Sequence, residues 1–130
     1  MLKNPKRINI SSGAPWEATV GYSRAVRIGD RIEVAGTTAM RDGEPQYKDE
    51  PYQQTRLVLD IIQKAIEEAG ASLGDVVRTR IYITDLAHWQ EVAKAHGEFF
   101  RDIRPAATMV VVKALIDPAL LVEIEALAIA

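Results

Sequence analysis

The sequence predicts an α+β fold: a single mixed β-sheet with two helices packed on one face. Three observations carry this. Only two stretches repeat apolar residues at helical spacing, the other apolar stretches have strand lengths, and the order is strand, strand, strand, helix, strand, helix, strand, strand. Two helices cover one face of a five- or six-stranded sheet. The other apolar face must find cover elsewhere, most simply in a symmetric partner.

Composition narrows the class. A chain of 130 residues, 48% apolar, reads as one domain, 1–130, able to bury its own core. With 16 basic and 18 acidic residues the formal net charge is −2, which argues against nucleic-acid and anionic-membrane partners. Arg24, Arg27, Arg31, Arg78 and Arg80 read as ordinary strand positions, because no aromatic residues interleave with them as in single-strand binders. The apolar runs are shorter than a membrane span, and Met1-Leu2-Lys3-Asn4-Pro5-Lys6-Arg7 lacks a signal peptide's apolar core, so a cytoplasmic protein is expected. There is no cysteine, and His88 and His96 are the only histidines. No thiol nucleophile, thiolate site or histidine-rich metal centre is available, and neither metal nor cofactor is expected.

The elements follow in order. Ala25 to Ile28, Gly29-Asp30 and Arg31 to Ala35 form a hairpin, since Gly-Asp between alternating apolar runs suits a primed turn. From Asp49 or Glu50, with Pro51 in the first turn, Val58, Ile61, Ile62, Ala65, Ile66 and Ala69 recur at helical spacing until Gly70 supplies a left-handed cap. Val77, Thr79, Ile81 and Ile83 alternate with Arg78, Arg80 and Tyr82 as a half-exposed strand. Asp85 then caps a second helix with Trp89, Val92, Ala93, His96 and Phe100 on one face. Thr108 to Ala114 and Leu121 to Ile129 are two strands joined through Asp117-Pro118.

Pro105-Ala106-Ala107-Thr108 and Val122-Glu123-Ile124-Glu125-Ala126 resemble the paired C-terminal strands of the RidA/YjgF family, which carry Pro-Ala-Arg-Ser/Thr and Val-Glu-Ile-Glu-Ala. Tyr22-Ser23-Arg24-Ala25-Val26, Val34-Ala35-Gly36-Thr37, Gln54-Thr55-Arg56, Ala69 to Leu73, Asp75 to Thr79 and Thr84-Asp85-Leu86 are similar to its other segments in order. The resemblance implies a chorismate-mutase-like fold, a homotrimer around a central barrel, clefts between subunits, and hydrolysis of enamines and imines. The departures are Ala35 for serine, Ala93 for asparagine, His96 for tyrosine and Ala107 for the arginine that grips a substrate carboxylate. They place the chain in an arginine-lacking branch for which the usual 2-imino acids are poor substrates, since alanine offers no donor.

The resemblance assigns Glu123 the role of holding the attacking water. From the residues alone, Glu123 and Glu125 project to one strand face with Leu127 and Ile129, where a carboxylate is either a proton carrier or paired with an arginine. Pairing is expected for Glu125. The resemblance puts Tyr22 in the pocket, where an interface aromatic is the alternative, and Trp89 at the pocket edge, where the core is the simpler reading; Thr37 offers a hydroxyl. The resemblance also makes Ala107, Thr108 and Met109 part of the substrate-binding set, with Thr108 donating a hydrogen bond and amides near Met109 stabilising charge. His96 reads as a satisfied core histidine. Arg24 is a better substitute anchor than Arg104, which a strand would turn to the opposite face from Ala107, though a surface ion pair explains Arg24 equally well. Two functions follow: water addition to C=N in an intersubunit cleft, or a non-catalytic trimer that binds a metabolite or partner in a pocket made apolar by Ala35, Ala93, Ala107 and Met109. A ribonuclease role, also attributed to members of the family, draws little support from the acidic balance.

Overall fold

The computed structural model describes residues 6–130. Residues 1–5, most of the stretch read for a signal peptide, lie outside them. Eight strands form: β1 (Arg7–Ile10), β2 (Ala25–Ile28), β3 (Arg31–Thr38), β4 (Met40–Arg41), β5 (Glu44–Pro45), β6 (Val76–Ile83), β7 (Ala106–Val111) and β8 (Val122–Ile129). The helices are α1 (Pro51–Glu68) and α2 (Trp89–Phe100). The main sheet has the order β1-β2-β3-β8-β6-β7, with β6 and β7 parallel and all other pairs antiparallel; β4 and β5 make a separate ribbon. The expected α+β mixed sheet with two helices on one face is the observed architecture.

Local chemistry sets the elements. Gly29 turns the β2–β3 hairpin at φ 62° while Asp30 stays at negative φ, the pattern of a II′ turn. Pro51 opens α1, and Gly70 closes it at φ 88° with Ala71 N–H donating to Ile66 O, a Schellman closure. Arg27 adds a bond from Nη1 to Ala69 O at 2.8 Å, tying the hairpin to the helix end. The core lies between helices and sheet, where Val58, Leu59, Ile62 and Ile66 of α1 meet Ile32, Val34, Ile81, Ile83, Val122 and Ile124.

Four expectations need correction. The last two strands do not pair, because β8 runs between β3 and β6 and leaves β7 at the edge beyond β6. The connection through Pro118 is long enough to carry the chain across β6, and the alternately apolar β8 is buried on its helix side at Val122, Ile124, Ala126 and Ala128. Val77 points outward, 44% exposed, since an irregularity between Val76 and Arg78 sends Val76 inward instead. Trp89 is 47% exposed: a turn at Leu86–His88 precedes α2, and the helix buries Val92, Ala95 and Phe100 one turn later. The sheet face away from the helices is mixed, with Ile28, Val110 and Ile129 exposed beside Arg78, Arg80, Tyr82, Glu123 and Glu125.

Candidate functional site

Sheet irregularity positions the site. The pairing of β3 with β8 slips between Val34 and Thr37, so Ala35 and Gly36 bulge out of the ladder just where Glu123 sits opposite Thr38. A Cβ on Gly36 would lie 3.1 Å from Glu123 Cδ and closer still to Oε2, so only glycine leaves the carboxylate its place. Around it opens a cleft of ≈ 890 Å³ whose wall includes Tyr22, Arg24, Thr37 and Glu123.

The side chains there are held in a definite order. Arg24, 6% exposed, donates from Nη1 to Gly36 O at 2.7 Å and to Thr37 Oγ1 at 3.0 Å, and from Nη2 to the Tyr22 hydroxyl at 3.2 Å. Thr37 donates its own proton to Ala35 O at 2.8 Å. Its hydroxyl therefore orients Arg24 and has no hydrogen left for a ligand. Glu123 is half-buried and, among the described residues, makes neither a hydrogen bond nor an ion pair. Burial raises its pKa; the Arg24 charge opposes the rise and the Glu125 charge adds to it.

The other sequence-chosen residues fall elsewhere. Ala107 and Met109 stand beside Thr79 and Ile81 on the helix side of β7, whereas Glu123 faces the open side two strands away. Thr108 lies on the open side and accepts from Arg78 Nη2 at 2.6 Å. Trp89 does not line the cleft. Neither do Ala35, Ala93, Ala107 or Met109; the apolar wall includes Trp16, Val20, Met40, Leu57, Ile61 and Ile116, of which the sequence reading named Ile61 alone, and only as a helix-face residue. Arg104 is not in a strand: at φ 57° it follows α2 and donates from Nε to Arg101 O. The partner of Glu125 is the Tyr82 hydroxyl at 2.5 Å rather than an arginine, and that bond raises the Tyr82 pKa. His96 pairs with Thr79 Oγ1 at 2.9 Å, and burial lowers its pKa, keeping it neutral.

Among the described residues, no three His, Cys, Asp or Glu side chains cluster as metal ligands, and no helix is long and apolar enough to cross a membrane.

A sequence model of the family described as endoribonuclease L-PSP matches residues 12–130. The chain belongs to the YjgF/RidA family. Its backbone is similar to that of Rv2704 from Mycobacterium tuberculosis, a member of the YjgF/YER057c/UK114 family, at 51% identity and TM-score 0.88, covering 96% of this chain and 100% of that one. The yjgF gene product of E. coli is similar at 29% identity and TM-score 0.81, over 94% and 98% of the two chains. A RutC family protein of Pyrococcus abyssi is 35% identical over 82% of this chain and 84% of its own length. The element order and chorismate-mutase-like topology of the YjgF/RidA fold are thus those found here.

Proposed function

We propose that this chain takes a small organic molecule into the Tyr22–Arg24–Glu123 cleft and adds water across a C=N bond there. The observation that carries the reading is Glu123, a half-buried carboxylate with raised pKa and no hydrogen-bond or ion-pair partner among the described residues. Such a group can take a proton from water while the water oxygen bonds to the imine carbon and pass it to nitrogen; the proton of the new hydroxyl then travels through the same carboxylate to nitrogen as the C–N bond breaks and the C=O forms. An imine and water become a carbonyl and ammonia, with no metal or cofactor. Tyr22 orients the ligand; Thr37 acts through Arg24.

Three copies complete the site. In one chain the β7 edge with Ala107, Thr108 and Met109 cannot reach Glu123, and Trp89 stands in solvent, so a neighbour's edge closing the cleft explains both. Thr108 then supplies its hydroxyl hydrogen and the amides near Met109 stabilise developing charge. Ala107, where the family resemblance expects arginine, supports reading the chain as a member of an arginine-lacking branch. Light scattering should give a trimer, and a stable monomer at micromolar concentration would remove the intersubunit site.

Glu123→Gln decides between catalysis and simple binding. It keeps the shape but removes proton acceptance, so turnover should fall by roughly a hundredfold with trimer and melting temperature retained. A large drop in melting temperature with dissociation would sink the catalytic assignment in favour of a structural carboxylate in a binding trimer.

A further inference from the structure

We propose that Arg24 is the anion anchor of this cleft, and that the cleft takes a carboxylate carried on an apolar body of aromatic size. The proposal rests on the cleft being the ligand site and names what it accepts.

Arg24 is a buried cation with no carboxylate of the described residues in direct contact, and its three hydrogen bonds go to a carbonyl and two hydroxyls. Glu123 acts on it only through space and the Tyr22 ring centroid lies 5.4 Å from its Cζ, so its charge is offset in part but not paired, which burial makes costly. Nη1 is saturated by Gly36 and Thr37, whereas among the described residues Nε and one Nη2 hydrogen have no acceptor. Nε is not sealed from solvent, and Arg24 lines the cleft. A guanidinium with donors free on Nε and Nη2 can hold a carboxylate through two parallel bonds. Gly36 serves both groups: its carbonyl holds Arg24, and its missing side chain leaves room for the Glu123 carboxylate.

The apolar part is read from a second, independent observation. Trp16, Val20 and Ile116 are 50%, 69% and 76% exposed and line the same cleft, although Ile116 comes from a segment far in sequence from the one that carries Trp16 and Val20. The segment bearing Trp16 and Val20 is pinned, because Glu17 accepts from the Ser12 amide at 3.1 Å and its hydroxyl at 2.5 Å. The wall therefore stands in the same cleft as Arg24, and the ≈ 890 Å³ that the single chain offers, before a neighbour's edge closes it, exceeds the needs of a two- or three-carbon acid.

Calorimetric titration with 3-phenylpropanoate, its uncharged amide and acetate tests both halves. The acid should bind at least about tenfold tighter than the amide and than acetate. Arg24→Gln should bring the acid down to the amide's level, and Trp16→Ala, at an exposed position, should weaken acid and amide alike. Equal binding of acid and amide, or an acid indifferent to Arg24→Gln, overturns the anchor; a silent Trp16→Ala overturns the apolar body. If Arg24→Gln melts early, the acid-to-amide ratio on the unaltered protein decides. Turnover of Glu123→Gln judges the hydrolytic reading separately, so either can fail while the other stands.

Discussion

The Glu123 carboxylate occupies the space that a side chain at Gly36 would fill, so a bulge in one strand and an acid in its neighbour form a single fitted unit. Gly36→Ala should displace the carboxylate at little cost in stability, because the atoms that must give way are the far end of a flexible side chain. Because Gly36 O also holds Arg24, ligand affinity and turnover should fall together. A crystal structure with Glu123 unmoved and full activity retained would break the link.

Titration of Glu123 carries a sign that stability measurements can read. Its folded pKa is raised above the ordinary 4.5, first by burial, so the folded state holds the proton over a pH range where the unfolded chain has lost it. This contribution is fully present below 4.5 and is lost as pH rises through the folded value. Glu123→Gln should flatten that decline and melt at neutral pH no lower than the parent. Denaturation curves from acid to neutral pH check it; an unchanged slope would show that another group is responsible.

How much of this was legible beforehand depends on range. The hairpin, α1 with its Pro51 start and Gly70 stop, and the Glu123/Glu125 face were readable because turn chemistry and periodicity are local. The insertion of β8 between β3 and β6 was not, since strand order is a tertiary choice that apolar pattern does not encode. The same holds for the site: Tyr22, Arg24, Thr37 and Glu123 meet, whereas Trp89, Ala107, Thr108 and Met109 lie elsewhere in the chain. The bulge that makes the Arg24–Gly36–Glu123 arrangement left one signal, a glycine within a strand. Trp16, Val20 and Ile116 left none, as isolated apolar residues in loops reveal no shared wall.

Gln54 is fully buried, and its amide nitrogen donates to Gln46 O, Tyr47 O and Ala119 O while its oxygen accepts from Leu121 N. One side chain thus ties α1 to the loop before it and to the crossover that delivers β8. Gln54→Leu fills the volume but strands buried backbone groups, and should cost about 3 kcal/mol, or roughly 10 °C in melting temperature. A loss under about 1 kcal/mol would mean that water replaces those bonds.

Ala107 sets the last expectation. With a methyl group where the RidA resemblance expects the carboxylate-gripping arginine, short 2-imino acids such as 2-iminobutyrate should be turned over far more slowly than by arginine-bearing relatives. Loss of a desolvated bidentate contact costs on the order of 2 to 5 kcal/mol. Arg24 offers a guanidinium elsewhere in the cleft, but a four-carbon acid leaves the Trp16, Val20 and Ile116 wall uncovered and gains little from it. Parallel assays with the imine generated in place would decide. Equal rates that collapse on Arg24→Gln would mean that Arg24 has taken over the whole anchoring role, whereas equal rates that survive it would exclude both arginine positions.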